Sequence, residues 1–198
     1  MKTHREYFNS LADKWDHLMQ IQDAVIEKIL SFAPVRKGDR ILDVGCGTGI
    51  LLSHLPAMVG PEGEVTALDL AEEMLRKAQE KYSAANLVFH CADAGQTGLP
   101  GKSFDGIICF SVFPHFEKKN AVLKEFSRLL RDGGWLLIAH AQGREQINAL
   151  HRQIGGVVGN DQLPDYKAMQ TLLAEAGFRE KAYIDREDLY ILLGAKEI

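Results

Sequence analysis

The residues of this chain that could carry chemistry stand where apolar runs break into turns. The densest group is Asp43-Val44-Gly45-Cys46-Gly47-Thr48-Gly49, three glycines at alternate positions with a carboxylate two residues ahead of the first. Glycine has no Cβ, so backbone here can turn sharply and pass close to a ligand. A pyrophosphate site asks for G-x-G-x-x-G; the spacing here is G-x-G-x-G, and Asp43 would repel a phosphate. An acidic group beside such a turn favours a ligand with an amino group or another positive charge. Ile50-Leu51-Leu52 with Leu55 predicts an amphipathic helix opening directly after the turn, and its unpaired N–H groups would suit a ligand carboxylate.

Further polar residues follow other apolar runs. Asp69 ends one, about 20 residues beyond the glycines, where a carboxylate can accept from ribose hydroxyls. Its alternative use is as a helix N-cap. Asp93 could accept from an exocyclic amine and Ala94 could offer its backbone N–H, although an aspartate after a strand is also ordinary turn chemistry. Phe110-Ser111-Val112-Phe113-Pro114-His115-Phe116 supplies aromatic faces that attract a cation, with Phe113 and Phe116 also readable as packing. His140 and His151 are the candidate catalytic groups, each a general base or a substrate-orienting imidazole, the alternative being hydrogen-bonded structural residues. With His115 they make three histidines that could converge. They lack H-x-x-x-H or H-E-x-x-H spacing, and no metal is expected.

Positioning these groups requires a regular scaffold. The 198 residues suffice for one domain, and a formal net charge of −4 gives no global attraction to nucleic acid or an anionic membrane. Cys46, Cys91 and Cys109 form an odd set without a C-x-x-C pair and read as small core residues in a reducing compartment. The polar opening residues do not resemble a signal peptide, no run is long enough to span a bilayer, and a cytoplasmic location is expected.

Thr3 and Glu6 form a capping-box pattern ahead of Tyr7, Leu11, Trp15 and Leu18 at helical spacing, and Ile21, Val25, Ile29 and Phe32 predict a second helix. These helices read as cover for a sheet or as a lid in which Tyr7 and Trp15 close over the site. Strands are predicted at Ile41 to Val44, Glu64 to Asp69, Leu87 to Cys91, Phe104 to Phe110 and Trp135 to Ala141, with helical patterns between them except after the third, where a loop rich in Gly and Pro runs from Ala94 to Lys102. One of these carries Met74, Leu75, Ala78 and Tyr82 on its inner face. Another, through Val122, Leu123, Phe126, Leu129 and Leu130, is expected to stop at Gly133-Gly134. Within Arg144 to Asp161, Ile147, Leu150 and Ile154 share one helical face while Arg144, Asn148 and His151 share the other. After a helix from Asp165 to Ala176, two runs joined by a short polar turn, Phe178 to Asp185 and Leu189 to Lys196, must pair antiparallel.

The ordered set Asp43 to Gly49, Asp69-Leu70-Ala71-Glu72-Glu73-Met74-Leu75, Cys91-Ala92-Asp93-Ala94 and the Phe110-Ser111 exit resembles the class I S-adenosylmethionine-dependent methyltransferases along essentially the whole chain. The resemblance implies a Rossmann-like, doubly wound, mostly parallel seven-stranded sheet in three α/β/α layers with an antiparallel C-terminal hairpin. It implies S-adenosylmethionine as co-substrate, held by Asp43, Gly45, Cys46, Gly47, Gly49, Asp69, Leu70, Met74, Asp93, Ala94, Phe110 and Ser111. A single domain over 1–198 is expected, with 1–33 as a helical cover and 144–166 as a cap over the acceptor. Nothing resembles the Asn-Pro-Pro-Tyr motif of nucleic-acid amino-methylating enzymes, so the expected acceptor is a small molecule at O, N, S or C. Neither nucleic acid nor a membrane is expected as partner, and a homodimer is left open. The rival readings are a nicotinamide-linked oxidoreductase, disfavoured by the glycine spacing, and a non-catalytic partner or activator protein of the same fold.

Overall fold

The computed structural model describes residues 2–197. Seven strands form one sheet: β1 Arg40–Val44, β2 Glu64–Asp69, β3 Leu87–Cys91, β4 Phe104–Phe110, β5 Leu130–His140, β6 Phe178–Arg186 and β7 Leu189–Lys196, in spatial order β3-β2-β1-β4-β5-β7-β6. Strands β1 to β5 pair in parallel, whereas β7 runs antiparallel between β5 and β6. This is the expected doubly wound sheet with its C-terminal hairpin. The chain order reverses between β1 and β4, and the crevice beyond the carboxyl ends of those strands is where such sheets hold ligands.

The helices are α1 His4–Leu11, α2 Trp15–Leu18, α3 Asp23–Leu30, α4 Leu55–Val59, α5 Glu72–Lys81, α6 Lys119–Leu129, α7 Arg144–Ile154 and α8 Tyr166–Glu175. Two apolar clusters fill the two faces of the sheet. One gathers β4, α6 and α8 side chains such as Phe126, Leu129 and Met169; the other gathers α3, β1 and α5 residues such as Ile29, Ile41 and Ala78. Among the described residues no helix is long and apolar enough to cross a membrane.

Several local expectations are corrected. The N-terminal pattern is capped by Thr3 and Glu6 as expected, but a 3-10 turn at Ala12–Lys14 divides it into α1 and α2. No helix opens at Ile50: the left-handed Gly49 (φ 92°) resets the chain, and bonds such as Leu52 N–H to Gly49 O keep it in tight turns until Leu55. Helix α6 ends at Leu129, four residues before Gly133, because Leu130 is already extended and pairs with Phe104. Strand β5 therefore begins earlier than Trp135, with an irregular pairing between Phe104 and Gly106. Gly106 is required there, since a Cβ would fall 2.1 Å from the Trp135 ring. Cys46 and Cys109 are buried, but Cys91 is exposed rather than a core residue.

The largest correction concerns α7. Leu150 and Ile154 face outward, 43% and 51% exposed, while Asn148 and His151 are buried with Ile147. The Asn148 amide donates to Leu163 O (3.0 Å) and accepts from Leu163 N–H (2.8 Å), and His151 Nδ1 lies 2.8 Å from Asp161 O. Those backbone groups of the following loop satisfy the buried side chains, so polarity and not hydropathy sets the inward face.

Candidate functional site

A cavity of about 1090 Å³ opens beyond the carboxyl ends of β1, β2 and β4. That is just above the usual range for small-molecule sites. Its floor is the glycine turn. Gly45 and Gly47 have φ of 66° and 55°, conformations other residues adopt at a cost, and a Cβ on Gly45 would fall 2.3 Å from Val112. Asp69 ties this turn down: its Oδ2 accepts from Gly47 N–H (2.8 Å) and its Oδ1 from Ala71 N–H (2.8 Å). The N-cap of α5 is Ala71, so Asp69 is not the helix cap. Burial raises the Asp69 carboxyl, and these amide bonds work against that rise.

Leu70 and Met74 line the same side, and Asp93 with Ala94 the far wall. Asp93 Oδ1 accepts from Gly95 N–H at 2.7 Å, so it serves the turn as well as facing the cavity. Phe110 and Ser111 line the β4 exit, where Ser111 is left-handed (φ 56°), a strained conformation for a residue with a side chain. The cavity thus brings together Gly45, Cys46, Gly47, Asp69, Leu70, Met74, Asp93, Ala94, Phe110 and Ser111.

Four expected site residues stand elsewhere. Gly49 packs against Tyr82, whose ring carbons lie 2.9 Å from where its Cβ would be. Asp43 is buried behind the turn, 1% exposed, with Oδ2 unpartnered; burial and the Asp69 charge push its carboxyl up to about 7. His140, expected to face the crevice, is buried at 4% exposure edge-on to Tyr190, with Nε2 unpartnered and its imidazole lowered by burial to about 3. Parallel pairing to β4 and antiparallel pairing to β7 hold that strand end inside the sheet. His151 is buried beneath the loop after α7. Neither histidine is among the residues lining the cavity.

Of the three histidines singled out in the sequence, the one that lines it is His115, joined there by His4. Its Nδ1 lies 2.6 Å from Asp161 Oδ2, and the same oxygen lies 2.8 Å from His4 Nε2. The ring of His151 stacks obliquely at 4.9 Å from His115. Burial lowers the His115 imidazole, and Asp161 partly restores it; the two histidines in turn hold the Asp161 carboxyl low against its own burial. His4, His115 and Asp161 are also the one group among the described residues with the geometry to hold a metal ion. Sequence reasoning missed His4 and Asp161 as site residues. They lie 157 positions apart, and no local spacing links them.

The N-terminal segment roofs the cavity. Trp15 Nε1 would lie 3.3 Å from a Cβ on Gly47, and Phe8 and Trp15 meet edge to face at 5.6 Å. Ion pairs fasten it to α5: Arg5 to Glu72 at 2.8 Å, Asp13 to Lys77 at 2.6 Å and Asp16 to Lys81 at 2.8 Å.

Residues 42–138 match the family model described as a methyltransferase domain. The biotin biosynthesis bifunctional protein BioHC of Teredinibacter turnerae is 28% identical over 190 residues; the match takes in 89% of this chain and 33% of that longer protein. The ubiquinone/menaquinone biosynthesis C-methyltransferase UbiE of Pseudomonas aeruginosa is 27% identical over 210 residues, 90% of this chain and 82% of the relative. Among solved structures, the Haloferax volcanii putative methyltransferase in complex with the Trm112 methyltransferase activator superposes with a TM-score of 0.84 at 19% identity, over 98% of this chain and 97% of that one. The chain thus resembles the S-adenosylmethionine-dependent methyltransferases, in sequence through its central segment and in fold along its length.

Proposed function

We propose that this chain transfers a methyl group from S-adenosylmethionine to a small-molecule acceptor. The observation that carries the reading is one continuous cavity in which the glycine turn, Asp69 and Asp93 occupy one end and the His115 cluster the other. When bound, the donor supplies an activated methyl on a sulfonium. The chain's own residues bind and orient it: Asp69 at the ribose, Asp93 and Ala94 at the adenine edge, Leu70 and Met74 at its faces, and Gly45 to Gly47 where backbone must pass closely. Phe110 and Ser111 border the methionine portion, where a ring face favours a cation. Asp43 acts from behind the turn on the donor's amino group, through water.

In this reading the chain is a single domain over 1–198, residues 1–33 form the cover that excludes water, and residues 144–166 cap the acceptor end. Catalysis then rests mainly on proximity and desolvation of the reacting pair. The small-molecule preference is supported by the deep, aromatic-walled cavity and by a relative named as a C-methyltransferase of quinone biosynthesis. The test is calorimetric titration with S-adenosylmethionine and S-adenosylhomocysteine. Binding that weakens strongly in Asp69→Ala is expected; no binding of either compound would overturn the reading in favour of a non-catalytic partner protein.

A further inference from the structure

We propose that His115 is the general base of this site, positioned by Asp161, and that the acceptor it serves is a planar phenol- or enol-type hydroxyl compound. The proposal rests on the methyl-transfer reading and deepens it. Of the histidines gathered here, His4 and His115 open on the cavity, whereas His140 and His151 do not. Asp161 Oδ2 engages Nδ1 of His115, which leaves Nε2 as the nitrogen without a protein partner among the described residues. A carboxylate on one imidazole nitrogen fixes the tautomer, so the other presents a lone pair. The same carboxylate stabilises the imidazolium that forms when that lone pair takes a proton.

The positioning device is built from several elements. His115 ends a 3-10 turn, Phe113–His115, just beyond β4, with its backbone N–H on Val112 O at 2.9 Å. Asp161 sits in the loop after α7, and that loop is pinned by the two buried polar side chains of α7, Asn148 through Leu163 and His151 through Asp161 O. The inward polar face of α7 therefore has a purpose: it fixes the carboxylate. His4 supplies the second hydrogen bond to Asp161 from the N-terminal cover, so the base is fully framed when the cover is in place.

The acceptor class follows from walls and basicity. Phe8 stands edge-on to His115 at 5.0 Å, and Trp15, Phe110 and Phe116 line the same cavity, which suits a flat ring. A buried imidazole of lowered basicity is matched to an acidic hydroxyl such as that of a phenol or enol and poorly matched to an alkanol. The charged and titratable groups facing His115 are Asp161, His4, His151 and His140, with Glu117 beside His4 and Lys119 near Asp161. In the step itself, a lone pair of the acceptor oxygen forms the O–C bond while the donor's C–S bond breaks with its pair retained by sulfur. The O–H proton passes to His115 Nε2, and from there to water.

The test uses the full chain with a series of ring-substituted phenols, with alkanols and primary amines as contrasts, reading release of S-adenosylhomocysteine. Phenols are expected to turn over. His115→Ala should lower kcat by about 100-fold or more, leave calorimetric affinity for S-adenosylhomocysteine within about twofold, and regain activity with added imidazole. Asp161→Asn should lower kcat less and move the acidic limb of the pH profile downward, and nitrogen-15 spectra of the unliganded protein should show Nδ1 of His115 protonated and Nε2 bare. Donor binding with no phenol turnover, turnover indifferent to His115, or a bound transition metal whose removal abolishes activity would each overturn the proposal. Loss of donor binding in the unmodified protein would instead remove the methyl-transfer reading beneath it.

Discussion

The two ends of the cavity are built by opposite means. At the glycine end, the groups lie within a few residues of each other or at the ends of neighbouring strands one or two places away, and Asp69 secures the turn by bonding to Gly47 and Ala71 amides. At the histidine end, His4, His115, His151 and Asp161 come from the N-terminal cover, the β4 exit, α7 and the loop after it. The first is a local device and tolerates little change in backbone; the second is a long-range assembly whose geometry depends on how separate elements dock. Titratable groups buried away from the cavity wall also differ in sign: Asp43 behind the glycine turn is pushed up to about 7, and His140 against Tyr190 down to about 3.

The sharpest way to break this comparison is through the sheet that carries both ends. Gly106→Val drives side-chain atoms into the Trp135 ring and is expected to cost more than the roughly 1–3 kcal/mol typical of overpacking; chemical denaturation would show both ends lost together. Next in size, Asp69→Ala should weaken S-adenosylmethionine binding by roughly 1–3 kcal/mol while a histidine-end variant leaves it alone, measured by calorimetry. Unchanged affinity in Asp69→Ala would remove the local device.

Asn148→Ala probes the other end. It leaves the Leu163 N–H and C=O without partners in a buried position and should destabilise the fold by about 1–3 kcal/mol. It should also lower turnover without affecting donor affinity, because the loop carrying Asp161 loosens. Equal loss of both would erase the distinction between the ends.

The pH dependence of stability separates them further. Asp43 has a folded value about 7 against 3.8 unperturbed, so its contribution is present at low pH and lost as pH rises through about 7. His140 has a folded value about 3 against 6.5, so its contribution is present above 6.5 and lost as pH falls toward about 3. Asp43→Asn should remove the fall in stability that accompanies rising pH between 3.8 and about 7, and His140→Phe the fall that accompanies dropping pH between 6.5 and about 3, in denaturation curves taken across that range. The smallest effect belongs to the cover. Its ion pairs to α5 are solvent-exposed, so Lys81→Met should cost well under about 1 kcal/mol, with the wild-type difference fading at high salt.

Much of the glycine end was legible in the residues alone. Alternate glycines, an aspartate ending the next strand and another after the third were readable because strand and turn there follow one another along the chain, and Gly45, Gly47, Asp69 and Asp93 all line the cavity. Asp43 and Gly49 belong to the same motif, yet one lies buried behind the turn and the other packs on Tyr82. Spacing locates a motif without saying which side chains face outward. At the histidine end, three histidines could converge by their places in the sequence; the rings of His115 and His151 meet at 4.9 Å, while His140 stands edge-on to Tyr190. What spacing did not supply was the face of α7 or the identity of Asp161.

The sequence by itself determined the strand positions, the parallel order implied by crossover helices, the closing hairpin and the glycine turn. These depend on periodicity and on backbone conformations that few residues permit. Tertiary structure alone decided that His115 meets the cavity while His140 and His151 do not, and that Asn148 turns inward in place of Leu150. Hydropathy ranks side chains by their cost in isolation, whereas a buried amide or imidazole is admitted when a loop distant in sequence supplies its hydrogen bonds. That partner exists only once the chain has folded.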